Sequence, residues 1–324
     1  MQQQHPTDNI PSEKELLKIV THTSSVVWQN ELREPQVTDW LSNFDGQVFT
    51  TERERFFALW LLSHFTYYNQ KEVTHLCKVL YRDLLHKIVT APSAFSTNAQ
   101  KVGDFFSKAN IIPFEIVDDF LSKTNIVTTE ELSGSSGFIA YFFRHVNDLP
   151  VSLFNFSIKN VASDIENIIF IDDVTLTEGT DGQMHRFLKK TVDEHPGKKF
   201  YLITLISSEA SINDLKSSFN IEVITTIKLD SRDKCFSNDS DMFSQYPELL
   251  EDCKKFATYY GGKVPIVEPL GYRNGQYAFG FFYNTPDNTL PIFWAQINGW
   301  KPIIPRFHKN YGSIKSYFGH ERFI

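Results

Sequence analysis

The sequence predicts an α/β protein in which a parallel sheet is covered by helices, preceded by an α-helical segment and followed by an aromatic-rich C-terminal cap. Three observations carry this. Short apolar runs, NIIFI at 167–171, FYLITLI at 200–206 and IEVITTI at 221–227, alternate with helix-like stretches. Strands buried on both faces read as continuous runs of this kind. Residues 73–88 keep an i, i+3, i+4, i+7 apolar spacing, the signature of a helix with one buried face. Aromatic residues make up 15% of the chain, with 29 Phe, which calls for a large core or an aromatic-lined groove. The expected units are an α-helical domain over 1–100, an α/β core over 101–232 and a C-terminal extension or cap over 233–324.

In the first unit, Ser12 with Glu15, Thr51 with Glu54 and Asn69 with Glu72 each place a short acceptor side chain three residues before a glutamate. Such pairs satisfy the orphan amides of a helix start. The third pair opens the periodic helix through Val73, Leu76, Leu80, Leu84 and Ile88, which Pro92 ends. The segment 53–68 is apolar on most sides (Phe56, Phe57, Trp60, Phe65), so it reads as a buried helix. Its leftover aromatic surface leads to the expectation that residues 1–95 pack on a protein partner or a second copy. His64, His75 and His86 recur every 11 residues. A metal reading stands beside that of ordinary core or surface histidines, with no acidic ligand paired to them.

Composition excludes several classes. Lys and Arg number 32 against 39 Asp and Glu, a net charge of −7, which disfavours whole-surface nucleic-acid binding and leaves a local basic patch open. The most apolar stretch, 56–62, falls far short of the roughly 20 residues that span a bilayer. The N-terminus lacks a basic start followed by an apolar run, and Cys77, Cys235 and Cys253 are too scattered for a disulfide framework or a metal knuckle. A cytoplasmic protein with no membrane contact is expected. No HExxH, GxSxG or GxxxxGK[ST] motif occurs.

Through the centre the order reads strand 125–129, Gly/Ser loop 133–137, helix 138–146, strand 149–156, strand 167–171, polar loop 172–182, helix to about 193, strand 200–206, helix 211–219 and strand 221–227. In open parallel sheets ligands bind beyond the carboxyl ends of the strands, so loops 133–137 and 172–182 form the candidate site. The second reads Asp172-Asp173-Val174-Thr175-Leu176-Thr177-Glu178-Gly179-Thr180. Adjacent carboxylates at a strand end repel unless they face a cation or several hydroxyls; a ribose diol with Mg²⁺ supplies both. Thr177, Gly179 and Thr180 then enter a helix, whose N-terminal amides suit a phosphate. A plain turn and helix cap is the competing reading. A haloacid-dehalogenase motif fails on spacing, because Val174 stands where its second aspartate belongs.

This loop resembles the phosphoribosyl pyrophosphate (PRPP) motif of type I phosphoribosyltransferases: four apolar residues, two acids, three variable residues, then a Thr-Gly-x-Thr variant. The resemblance covers about residues 125–230 and implies a phosphoribosyltransferase-like core. It further implies that Asp172 and Asp173 are the catalytic pair, facing the ribose hydroxyls and Mg²⁺ and stabilising a ribosyl cation-like transition state. Thr177, Glu178, Gly179 and Thr180 would hold the 5-phosphate, and the loop with Ser135 and Ser136 the pyrophosphate. Glu178 stands in place of the family's first glycine. About ten residues (157–166) separate strands where the family inserts its long flexible loop. Those departures favour a nucleotide or glycosidic-bond hydrolase, or a non-catalytic nucleotide sensor, over a standard transferase. The whole layout is also similar to phosphoribosyltransferase-like proteins of bacterial conflict systems, which implies an antiphage effector.

Residues 230–255 are acidic and Ser/Asp-rich and read as a solvated connection. The aromatic run 277–283 reads as a strand leading to Asn284, Asp287 and Asn288, set between aromatics and prolines. That is the make-up of a pocket wall or of a buried turn. The final thirty residues interleave Lys301, Arg306, Lys309, Lys315 and Arg322 with aromatic rings. That pattern suits single-stranded nucleic acid or a packed cap with a basic rim.

Overall fold

The computed structural model describes residues 10–90, 114–129, 134–155, 158, 161–176 and 182–306. Three front helices, α1 (Glu13–Val26), α2 (Glu34–Leu41) and α3 (Thr51–Ser63), lead to a short strand β1 (Thr66–Tyr68) and the long helix α4 (Gln70–Thr90). Then come α5 (Phe114–Ser122), β2 (Thr124–Thr128), α6 (Ser135–Val146), β3 (Asn167–Thr175), α7 (Gln183–Glu194), β4 (Lys199–Ser208), α8 (Glu209–Phe219) and β5 (Glu222–Leu229). The C-terminal part holds α9 (Leu250–Lys263), β6 (Phe279–Phe281) and the single turn α10 (Pro291–Trp294).

Strands β2-β3-β4-β5 form one sheet, every pair parallel, and β1 pairs with β6 in a second small parallel sheet. Ile169 and Ile171 of β3 face a core shared with Ile139 and Phe143 of α6, Leu80 of α4 and Phe281 of β6. Ile168 and Phe170 face the opposite core, with Leu188 of α7 and Leu215 of α8. Period-two alternation thus buries both faces of β3, which is why its sequence shows no polar side.

The helix starts follow their caps. Ser12 and Glu15 form the reciprocal box of α1. The Asn69 side chain accepts from the amides of Lys71 and Glu72 at the start of α4, at 2.9 and 3.1 Å. The middle box is corrected: Thr50 caps α3 by accepting from the Arg53 amide, 3.3 Å. Glu54 instead turns back and accepts from the amides of Gly46, Val48 and Phe49 at 2.6, 2.7 and 3.1 Å.

Other expectations change. The run expected as a strand over 149–156 is none over its described residues 149–155: Pro150 precedes a 3-10 turn at Val151–Leu153, and one bridge from Phe154 to Ile126 is the pairing found among the described residues. The aromatic run 277–283 gives only three strand residues, Phe279–Phe281. Residues 230–255 are no solvated link, since Cys235, Phe236, Phe243, Leu249 and Cys253 are buried in the core of the front helices. That core joins residues 16–67 to residues 235–304. Phe57 packs on Phe256, Trp60 on Phe243 and Phe65 on Phe293, with ring centroids 5.9, 6.0 and 5.0 Å apart. The aromatic surface expected to seek a partner is therefore covered by the chain's own C-terminal part. Approach there is close: a Cβ on Gly261 of α9 would stand 1.9 Å from the Pro269 carbonyl oxygen. No helix among the described residues is long and apolar enough to cross a membrane.

Candidate functional site

Asp172 and Asp173 lie near the carboxyl end of β3, which continues through them to Thr175. They are 8% and 2% exposed, so the expected open strand-end pair is instead enclosed. Being consecutive in a strand, they leave it on opposite faces, and their partners show it. Asp172 Oδ2 accepts the Thr129 hydroxyl from the end of β2, and its Oδ1 accepts the amide of Asp173 at 2.8 Å. Asp173 Oδ1 accepts Ser135 Oγ, from the first turn of α6, at 3.1 Å, and the Val174 amide at 2.9 Å. Asp173 Oδ2 accepts the Tyr283 hydroxyl at 3.2 Å.

Burial pushes the Asp173 carboxyl above the usual aspartate range, against the lowering by its hydrogen bonds and by Arg306. Burial also pushes the Tyr283 phenol well up, aided by the charge of Asp173, so this hydroxyl keeps its proton and donates. A carboxyl raised in the folded state binds a proton there that the unfolded chain has lost. Its ionisation therefore costs stability as pH rises from the ordinary value near 4 through the raised one. Asp173→Asn is thus expected to raise the melting temperature at pH 8, with the gain shrinking toward pH 4. A thermal-denaturation series across pH checks this; a gain independent of pH would contradict it.

Two more hydroxyls stand unused. Ser136 is fully buried in the first turn of α6 and Thr175 is buried at the end of β3, and neither Ser136 Oγ nor Thr175 Oγ1 has a hydrogen-bond partner. Unpartnered buried hydroxyls are uncommon and call for an explanation, a ligand among them. Helix α6 starts at Gly134 with no side-chain cap, so its first amides offer donors beside Ser135 and Ser136.

The structure thus brings together Asp172, Asp173, Ser135 and Ser136. Thr177, Glu178, Gly179 and Thr180 lie outside the described residues, as do the basic and aromatic positions beyond Arg306. Asp287 is held by Arg306 Nη2 at 3.2 Å, and the Asn288 side chain donates to the Tyr272 carbonyl at 3.2 Å. Both brace a turn. Asn284 keeps a buried Oδ1 without a partner.

Sequence reasoning missed Thr129 and Tyr283. The parallel register pairs Thr128 with Ile171, so Thr129 falls opposite Asp172, and that pairing was readable once the strands were aligned. Tyr283 lies 110 residues from Asp173 and carries no local signal. Its ring stacks on Phe138 of α6 at 4.3 Å and on Phe281 at 5.2 Å, which fixes it over the acid.

A family model, PRTase-CE, matches residues 37–306. The chain belongs to the PRTase-CE family. That span takes in the second half of α2 and all of α3 through α10, so the C-terminal part belongs to the matched region as much as the sheet does, while α1 lies outside it. It is a phosphoribosyltransferase-like protein. The comparison with curated proteins found no match. Among solved structures, the chain is similar to the xanthine-guanine-hypoxanthine phosphoribosyltransferase of Helicobacter pylori, at 12% identity over 52% of this chain and 85% of that one, TM-score 0.29. It is also similar to the orotate phosphoribosyltransferase of Aeropyrum pernix, at 12% identity over 47% of this chain and 93% of that one, TM-score 0.25.

Proposed function

We propose that this PRTase-CE chain binds a ribose 5-phosphate ligand, PRPP or a nucleotide, with Mg²⁺, at Asp172 and Asp173. The observation that carries the reading is the hydroxyl chemistry of the acid pair: both carboxylates already accept hydroxyl donors, and two unpartnered hydroxyls stand beside them. A carboxylate that accepts a phenol can accept a ribose hydroxyl in its place. The amides and hydroxyls at the start of α6 suit an anionic leaving group. In the same reading Thr177, Glu178, Gly179 and Thr180 hold the 5-phosphate.

Among the described residues no three His, Cys, Asp or Glu side chains converge. Mg²⁺ fits under one condition, that the ligand's oxygens and water complete its shell around the two aspartates; Mg²⁺ is commonly held by one or two carboxylates plus substrate phosphates. Bound there, it neutralises charge on the ligand. The antiphage role belongs to the same proposal and is supported by the sequence resemblance alone.

A non-catalytic sensor is the second reading, favoured by the Tyr283 hydroxyl that already covers Asp173. Both readings share one competition test. If ribose hydroxyls displace Tyr283, Tyr283→Phe removes a competing bond of about 1 kcal/mol and tightens Mg-PRPP binding roughly threefold to tenfold. Calorimetric titration of both proteins measures it, and pyrophosphate release assayed alongside separates enzyme from sensor. Weaker binding by Tyr283→Phe would show that the phenol serves the ligand instead of competing with it.

A further inference from the structure

A cavity of about 440 Å³ lies at the amino end of the sheet, beside the start of the edge strand β2. That volume falls within the roughly 300–1,000 Å³ of ligand pockets. Leu121 and Ser122 line it from the end of α5, and Asn147 and Asp148 from the end of α6. Two helix carboxyl ends thus converge on one space. Each carries partial negative charge on its last carbonyls, which favours a cation nearby.

The side chains point the same way. Asp118 of α5 and Asp148 bring two exposed carboxylates, and no Lys, Arg or His is among the described residues that line the cavity. The neighbouring cations are engaged elsewhere: Lys123 Nζ lies 2.9 Å from Asp119 and 3.8 Å from Glu166, and Arg144 lies over the Tyr141 ring, 5.4 Å from its centroid. The Asn147 amide donates to the carbonyls of Cys77 and Phe143, at 3.2 and 2.9 Å. What it has left for the cavity is Oδ1, an acceptor. Asn125 gives an independent sign of a ligand. It lines the cavity from β2, is 8% exposed, and its side chain makes no hydrogen bond among the described residues. A buried amide without a partner is uncommon and calls for one. Between these polar groups the wall is hydrocarbon, from Leu149, Leu153 and Ile165, all buried.

We infer that this cavity is a second ligand site, at the opposite end of the sheet from the acid pair, for an organic ammonium ion with an aliphatic body: a diamine or polyamine. The ammonium groups donate to Asp118, Asp148, Asn147 Oδ1 and Asn125 Oδ1, and the methylene chain lies on the leucines and Ile165. A bare metal ion fits poorly, because among the described residues no three His, Cys, Asp or Glu side chains converge and the hydrocarbon wall offers it no ligands. The site shares no residue with the contacts of Asp172 and Asp173. Five residues of β2 separate Thr124, at the cavity, from Thr129, which holds Asp172, a span of roughly 17 Å at the usual rise per residue.

The test is calorimetric titration of the full chain with putrescine, spermidine and the uncharged isostere 1,4-butanediol. The proteins are the wild type, Asn125→Ala, Asp118→Asn with Asp148→Asn, and Asp172→Asn with Asp173→Asn, the last removing the same two charges elsewhere. The wild type should bind one amine per chain, more weakly as salt rises, and should not bind butanediol. Affinity should fall tenfold or more in the Asp118 and Asp148 variant, fall severalfold in Asn125→Ala and hold in the Asp172 and Asp173 variant. Asp118 and Asp148 are exposed, so their variant should melt as the wild type does, and its loss reports the site and not the fold. Binding of neither amine, wild-type affinity in either site variant, a loss that follows Asp172 and Asp173 instead, or displacement of putrescine by an equal concentration of Mg²⁺ overturns the inference. The site does not rest on the ribose-phosphate reading: Mg-PRPP titrated into the same proteins tests that reading by itself, and either ligand can fail without the other.

Discussion

Glu54→Ala is expected to destabilise the fold by about 4 kcal/mol and lower the melting temperature by roughly 10 °C. The Glu54 carboxylate is fully buried and accepts from the amides of Gly46, Val48 and Phe49. It also accepts the Tyr260 hydroxyl of α9 at 2.6 Å, 206 residues along the chain. Alanine strands the three amides at once, at about 1–3 kcal/mol for each one that finds no water, while the Tyr260 hydroxyl keeps Asp45 Oδ1 at 3.1 Å as an acceptor. Glu54→Gln keeps one acceptor oxygen and should lose about half as much. Because Glu54 ties the 46–49 loop to α9, the loss should appear in one cooperative transition that includes the C-terminal part. Thermal denaturation followed by tryptophan fluorescence reads this. A Glu54→Ala protein that melts like the wild type would mean the loop finds other acceptors.

The second large effect is on binding. Asp172→Asn with Asp173→Asn should weaken Mg-PRPP binding by roughly 100-fold, the worth of two charge-assisted hydrogen bonds at about 1.5 kcal/mol each. The fold should survive: each asparagine keeps one acceptor oxygen and loses the other, so at Asp173 either Ser135 or Tyr283 must turn its hydroxyl elsewhere, while removing the Asp173 charge relieves a buried carboxylate. Its melting temperature should hold or rise at neutral pH. A protein that melts normally and still binds PRPP at wild-type strength would remove the acid pair from the site.

The sheet was legible because local pattern reports burial. NIIFI and FYLITLI are apolar at every position, as strands covered on both faces must be, and the Asn69 cap with its periodic run marked α4 directly. What failed was everything that depends on a distant partner. The run 149–155 is as apolar as a strand, yet Pro150 leads into a 3-10 turn that leaves only the Phe154 bridge to Ile126 at the edge of β2. Thr50 and Thr51 are both acceptable caps in sequence, and only the amides of the 46–49 loop draw Glu54 away from the box. Residues 230–255 look solvated by composition, and Trp60 looks like leftover surface, because neither shows locally that Phe243 and Trp60 cover each other. Trp40 Nε1 donates to the Ile292 carbonyl across 252 residues at 2.8 Å, a contact that no window of sequence contains. At the site the acids were legible as a motif, and their burial under Tyr283 was not.

The most direct measurement is a crystal structure of the protein grown with Mg-PRPP. The account predicts ribose hydroxyl oxygens at about 2.5–3.0 Å from Asp172 and Asp173 carboxylate oxygens, the Tyr283 hydroxyl displaced from Asp173, and Ser136 Oγ bonded to the ligand. PRPP bound elsewhere, with Tyr283 still on Asp173, would contradict it.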